Sequence, residues 1–209
     1  MSASISGLER KMIDYLEISN SEVPKLQIPG RHNIENAKAA LAVARLLGVN
    51  GQIARRALEN FRGTWRRFEF LGKTSSGALV YDDYAHHPTE IRATLETARE
   101  LFPKQKIVLV FQPHLYSRTK EHLHQFGRAF SAADQILIAP IYAAREPVDP
   151  NISSKVLAKK AGEQIGREVE SPPDFSAIEF RLRKILKSGD ILLTMGAGDV
   201  FNIALAMLK

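Results

Sequence analysis

The chain contains no cysteine among its 209 residues. That excludes disulfides, thiolate metal sites and a cysteine nucleophile, and it suits a reducing cytosol. No apolar run approaches the roughly 20 residues that span a bilayer. The start, Met1-Ser2-Ala3-Ser4-Ile5-Ser6, lacks the basic-then-apolar order of a secretion signal. The expectation is a cytoplasmic protein with no membrane partner. Internal repeats and low-complexity tracts are missing, and so is a P-loop. Gly72-Lys73-Thr74 looks like the end of one, but the motif needs a glycine five residues earlier, where Arg67 stands. It also needs a helix behind it, whereas Ser75-Ser76-Gly77 reads as a turn.

What is present is an ordinary globular composition, 44% apolar and 25% charged, enough to bury a core as one large or two small domains. The net charge of +6 is unevenly spread. Residues 1–67 hold 11 Lys and Arg against 6 Asp and Glu, while residues 68–209 hold 18 against 17. The basic excess ends in Arg62, Arg66 and Arg67. Such a patch suits a polyanion, whether a nucleotide or a nucleic acid. The aromatic-rich strands of an RNA-reading sheet are absent, and the arginines are not spaced like a recognition helix. A solvated helix face explains much of the excess, and no nucleic-acid partner is expected.

Met12, Ile13 and Leu16 fall at helical spacing before Asn20-Ser21 and Pro24 break the pattern. A long helix is predicted from Asn33 to Leu47 on Ile34, Ala37, Leu41, Ala44 and Leu47, closed by Gly48. A second runs from Gln52 to Phe61, with Ile53, Ala57, Leu58 and Phe61 apolar. This pair has no strand to cover and reads as the end of a domain, with Arg62-Gly63-Thr64 as the hinge. From Phe68 onward strands alternate with helices. Strands are predicted at 69–71, 78–81, 107–111, 135–139 and 191–195, with a weaker one near Glu168. Helices are predicted at 89–102, 119–131, 153–165, 175–186 and 200–208. Fully apolar strands such as Ile107-Val108-Leu109-Val110 belong in parallel sheets covered on both faces. The prediction is a doubly wound, mostly parallel α/β domain over 66–209, preceded by a helical remnant over 1–65.

Chemistry concentrates in Asp82-Asp83-Tyr84-Ala85-His86-His87-Pro88-Thr89-Glu90, between an apolar strand and an amphipathic helix. A polar capped turn accounts for any one of these residues, but less readily for five functional side chains in the six positions 82–87. Such turns lie at the carboxyl edge of an open sheet, where ligands bind. Pro88 fits the first helical turn, where its missing N–H costs nothing. A second cluster, Gln112-Pro113-His114-Leu115-Tyr116-Ser117-Arg118-Thr119, follows the 107–111 strand at the same edge. There Arg118 could grip a carboxylate through two parallel bonds, helped by His114 and Ser117. Gly30-Arg31-His32-Asn33 with Asn36 opens the long early helix. Asn33 and Asn36 share a face and could read an adenine edge, although Asn33 also suits an N-cap. Gly196-Ala197-Gly198-Asp199 is either an anion site or a tight strand-to-helix turn. His122 and His124 point to different sides of a predicted helix and cannot share a metal.

Taken together, these stretches resemble the Mur ligase family, and most closely its alanine-adding members. Gly-Arg-His-Asn-x-x-Asn at 30–36, Arg-Arg-Phe-Glu at 66–69, the 82–90 turn, Phe-Gln-Pro-His-Leu-Tyr-Ser-Arg-Thr at 111–119 and Met-Gly-Ala-Gly-Asp at 195–199 run in family order. The murein tripeptide recycling ligases share the 82–87 pattern and differ at 112–119. The resemblance implies the end of a central ATPase domain followed by a complete Rossmann-like C-terminal domain. It also implies ATP-dependent, ADP-forming amide synthesis between UDP-N-acetylmuramate and L-alanine through an acyl phosphate. ATP and magnesium would be used, with the magnesium ligands and the UDP pocket outside this chain. His32, Asn33 and Asn36 would face the adenine, and Arg67 and Asp83 the ribose and nearby phosphate. Tyr84, His86, His114, Ser117 and Arg118 would orient the amino acid and acyl phosphate, with His86 as the candidate general base. The chain alone is expected to be inactive. The rival from another class is a non-catalytic module binding a nucleotide or nucleic acid through the basic first third.

Overall fold

A computed structural model describes residues 14–208, so Met12 and Ile13 of the first apolar pattern lie outside the described residues. The chain divides into two compact units between Arg62 and Gly63. In the first unit, short 3-10 turns at Tyr15–Glu17 and Asn20–Glu22 precede α1 (Arg31–Leu46) and α2 (Gly51–Asn60). Leu16 falls in the first of those turns and is exposed. Gly48, at φ +70°, follows the α1 cap and donates to the Arg45 carbonyl, as its predicted closing role requires. Asn50 caps α2 by accepting from the Gln52 and Ile53 N–H groups. The apolar cluster is small: Ile18, Leu41 and Ala42, with Val23, Ala54 and Leu58 against it. Two residues predicted for the apolar face of the second helix, Ile53 and Phe61, are exposed instead.

The second unit carries one five-stranded sheet in the order β1-β2-β5-β3-β4. Its strands are β1 (Glu69–Lys73), β2 (Leu79–Asp83), β3 (Ile107–Phe111), β4 (Gln135–Ile138) and β5 (Ile191–Met195). Pairing is parallel except for β1, which joins β2 as an antiparallel hairpin. Gly72 and Lys73 lie in that edge strand beside a bulge and Thr74 opens its turn, so the lookalike phosphate loop is a hairpin. The weak strand near Glu168 reduces to a bridge between Leu137 and Glu170.

All five residues of β3 and of β5 are buried, because helices cover both faces. One face packs Leu109, Phe111 and Leu193 against α3 (Pro88–Leu101), α5 (Leu123–Ala129) and α6 (Ser154–Ile165) through Ile91, Leu95, Phe126 and Leu157. The other packs Val108, Val110 and Leu192 against α7 (Phe175–Ile185) and α8 (Phe201–Met207) through Ile178, Leu182 and Ile203. At about 1.5–3 kcal/mol per buried large aliphatic side chain, these two layers supply most of the unit's driving force. The doubly wound α/β reading therefore holds. The predicted 119–131 helix starts earlier, as α4 (Tyr116–Glu121), and breaks at His122 before α5.

The topology sets the site. Asp83, Met195 and Phe111 pair in register, so β2, β5 and β3 end side by side. The chain leaves β5 toward the α8 face, while both neighbouring strands lead to helices on the opposite face. That divergence opens a crevice at the carboxyl ends of the strands.

Candidate functional site

The frame of this edge is Arg66, which the sequence reading left in the exposed basic excess. It is 4% exposed and adopts φ +55°. Its Nε donates to Asp82 Oδ2 at 2.6 Å, and its two terminal nitrogens donate to the carbonyls of Gly196 at 2.6 Å and Gly198 at 3.0 Å. Thr194 donates its hydroxyl to the other Asp82 oxygen at 2.5 Å. The guanidinium sits 5.2–5.7 Å from the ring centres of Tyr84, Phe201 and Trp65. Burial pushes the Asp82 carboxyl up to about 6, against the opposing pull of Arg66 and Thr194. Arg66 thus ties β2 to the turn after β5 and is an interior group.

Asp83 is buried too, and its oxygens accept the backbone N–H groups of Phe68 at 2.8 Å and Ala85 at 2.7 Å. It holds the 66–68 backbone in place through the Phe68 N–H. Arg67, by contrast, is exposed, with its guanidinium 5.9 Å from the Tyr84 ring.

The turn into α3 is a capping box. His87 Nδ1 accepts from the Thr89 N–H, and Glu90 accepts from the N–H groups of His86 and His87 at 3.1 and 3.2 Å. Pro88 stands at the first helical position, as predicted. Burial raises the Glu90 carboxyl, but the two N–H donors and the charges of His86 and Arg67 outweigh it and hold the group below its ordinary range. His86 Nδ1 lies 3.1 Å from the Tyr84 carbonyl. A carbonyl only accepts, so that contact puts the proton on Nδ1 and leaves Nε2 with the lone pair in the neutral ring.

The other flank is built on the 112–118 segment. His114 Nδ1 lies 3.4 Å from an Arg118 nitrogen, which must donate, and the ring stacks on Tyr142 at 5.6 Å. Burial first, then the charges of Arg118 and His86, lower the His114 pKa. Ser117 gives its N–H to Glu146 at 3.0 Å and its hydroxyl to the same carboxylate. Ser117 is therefore engaged by the protein itself. Arg118 makes no ion pair among the described residues.

The 196–199 stretch is a tight turn. A Cβ on Gly196 would come within 2.7 Å of the Gln112 carbonyl, and one on Gly198 within 2.4 Å of Gln112 Oε1. Gln112 itself bridges Asp199 and the Val200 N–H. The carbonyls of this turn face Arg66, which argues against an anion there. In the first unit, Asn33 is not a cap: Gly30 is, and Asn33 donates from inside α1 to the Pro29 carbonyl at 2.6 Å. Asn36 donates to Asn33 Oδ1 at 3.3 Å and is exposed, and His32 stands beside them in the first turn. His122 and His124 are separated by the helix break, with His122 edge-on to His87 at 4.7 Å. Among the described residues no three acidic or imidazole groups converge to hold a metal ion.

Arg67, Tyr84, His86, His114 and Arg118 form one unbroken row. Tyr84 and His86 rings meet at 5.6 Å, and His86 and His114 at 5.9 Å. Against known proteins, the profile of the Mur ligase, glutamate ligase domain, matches residues 66–198. The chain belongs to the Mur ligase family. UDP-N-acetylmuramate–L-alanine ligase of Mycolicibacterium smegmatis is 46% identical over 183 residues, 87% of this chain and 37% of that protein. The crystal structure of UDP-N-acetylmuramate–alanine ligase from Thermotoga maritima superposes with a TM-score of 0.69 at 31% identity, over 87% of this chain and 38% of that one. A murein peptide ligase from Psychrobacter arcticus gives 0.66 at 25%, over 88% and 38%. The chain thus spans well under half the length of these Mur ligases. No helix among the described residues is long and apolar enough to cross a membrane. Sequence reasoning missed Tyr142 and Glu146, which sit in the irregular 139–153 segment, where no periodicity points to them. It named Arg66 only in the basic excess and the Arg-Arg-Phe-Glu stretch, and no local pattern signals its unusual φ or its burial.

Proposed function

We propose that this chain is the C-terminal part of an ATP-dependent ligase joining L-alanine to UDP-N-acetylmuramate in cell-wall synthesis in the cytoplasm. The observation that carries this reading is the row from Arg67 to Arg118 along one sheet edge, cationic at both ends and imidazole in the middle. Arg118 suits the amino acid's carboxylate, since it has a planar fork and no acidic partner among the described residues. Tyr84 and His114 wall the space between, and Ser117 works through Glu146. His86 is the proton acceptor: its Nε2 lone pair takes a proton from the attacking amine while Nδ1–H stays on the Tyr84 carbonyl. When bound, the nucleotide would supply the phosphoryl group that activates the sugar carboxylate.

Arg67, exposed beside Tyr84, would meet a phosphate, and Asp83, which also fixes the 66–68 backbone, would serve the ribose side. Adenine recognition falls on Asn36 above Asn33 and His32, because Asn33 spends its amide on Pro29 and Asn36. The rival binding module draws on the basic first third, but there Arg66 is buried, Arg45 pairs with Glu22 and Arg55 donates to the Glu22 carbonyl. A nucleic-acid binder would show a steep salt slope for oligonucleotides, which this reading does not expect.

With nothing to cradle the β- and γ-phosphates, the chain by itself should release no phosphate from ATP. Joined to a P-loop-bearing upstream part, it should form ADP only with UDP-N-acetylmuramate and L-alanine. ADP formation driven by the murein tripeptide in place of alanine would assign it to the recycling ligases.

A further inference from the structure

The edge carries one acidic group that the roles above leave without a ligand. We propose that Glu146 is the amino-group reader of the site: its carboxylate receives the ammonium of the incoming amino acid while Arg118 takes the carboxylate. This inference rests on the amino-acid-binding reading of the row. A simple acid satisfies an arginine as well as an amino acid does. Selecting an α-amino acid also takes an acceptor for its ammonium, and a carboxylate is the strongest kind.

Glu146 is held where that charge is needed. Its carboxylate is bonded to Ser117, the residue beside Arg118, and makes no ion pair of its own among the described residues. His114, 3.4 Å from Arg118, stacks on Tyr142 of the segment that bears Glu146, and both charges act on its imidazole, Arg118 lowering its pKa and Glu146 raising it. The Ser117 hydroxyl and N–H keep Glu146 below the usual carboxylate range, hence ionised at neutral pH. With a further pull from the Tyr116 N–H, they take up part of the carboxylate's four acceptor sites and leave room for an ammonium.

The segment that bears Glu146 is tethered. Leu115 N–H donates to the Tyr142 carbonyl at 2.9 Å, Tyr142 N–H donates to Pro113 at 2.8 Å, and Lys120 donates to Asp149 at 3.2 Å. The other acids at this edge have different duties. Asp82 is under Arg66, Asp83 is on backbone N–H groups and Asp199 is on Gln112. Glu90 closes the capping box toward the Arg67 end.

The competing account is that Glu146 only caps α4, whose own N-cap, Leu115, offers no side-chain acceptor. Titrating the 15N-labelled chain with L-alanine and with propionate, which keeps the carboxylate and lacks the ammonium, separates the two. Wild type should favour alanine, and Glu146→Gln should weaken alanine about tenfold, leaving propionate unchanged and the two ligands near parity. Ser117→Ala, which keeps the charge but loosens it, should narrow the preference by less. A Glu146→Gln chain that retains the alanine preference, or loses both ligands equally, overturns the proposal and leaves the cap. A wild-type chain that responds to neither ligand overturns the amino-acid-binding reading itself, and this inference with it.

Discussion

Replacing Arg66 with methionine tests the frame on which the whole edge hangs. The substitution leaves Asp82, which is fully buried, with the Thr194 hydroxyl as its remaining side-chain partner, and strips a donor from the carbonyls of Gly196 and Gly198. Removing one member of a buried pair costs about 3–5 kcal/mol, a large share of the roughly 5–15 kcal/mol that holds a domain together. Asp82 has an escape, because it can take up a proton. Burial already raises its pKa from 3.8 to about 6, and losing Arg66 raises it further. A carboxyl with a folded pKa above its unfolded one binds its proton more tightly when folded. The folded state therefore gains on the unfolded one as pH falls through the folded value toward 3.8. Urea unfolding followed by circular dichroism should show the full loss at high pH and a smaller one at mildly acidic pH. Adding Asp82→Asn should flatten that pH dependence. A loss under about 1 kcal/mol at high pH, or one that grows as pH falls, would refute the buried-pair reasoning.

His114 should titrate by NMR below its ordinary 6.5, from burial first and then the neighbouring Arg118 charge, and Arg118→Gln should move the midpoint up. Because its folded pKa is depressed, the stability linked to His114 is present above the unfolded value and is lost as pH falls through the folded one. Gly196→Ala should destabilise the second unit by about 1–3 kcal/mol in thermal or urea melts, since its Cβ meets backbone at 2.7 Å and φ is +150°. Unchanged stability would mean that the 196–199 turn is looser than described.

Much of the fold was legible because burial leaves a simple mark. Ile107–Phe111 and Ile191–Met195 are apolar throughout, as strands covered on both faces must be. Pro88 and Gly48 marked helix ends by their own backbone chemistry. What escaped depends on contacts between distant segments. The His122 break interrupts a stretch with helical spacing on both sides, and β1 runs antiparallel only because Thr74–Gly77 closes a hairpin. At the site, residue type and sheet-edge position were enough to nominate Tyr84, His86, His114 and Arg118, which the fold does bring into contact. They could not tell Arg66 from Arg67. The two are adjacent and chemically identical, yet one is buried on Asp82 and the other faces solvent. Nor could they show that Asp83 and Ser117 are occupied by Phe68, Ala85 and Glu146.

The most direct test of the central claim is the alanine dependence of an Arg118→Lys variant, assayed for ADP release with the chain joined to a P-loop-bearing upstream part of a Mur ligase. A lysine keeps the charge but not the two-pronged grip. Losing a charge-assisted contact worth roughly 1.5–3 kcal/mol should raise the alanine KM about tenfold to a hundredfold, with the ATP KM unchanged. An unchanged alanine KM with a raised ATP KM would move Arg118 to the phosphate side and contradict the account.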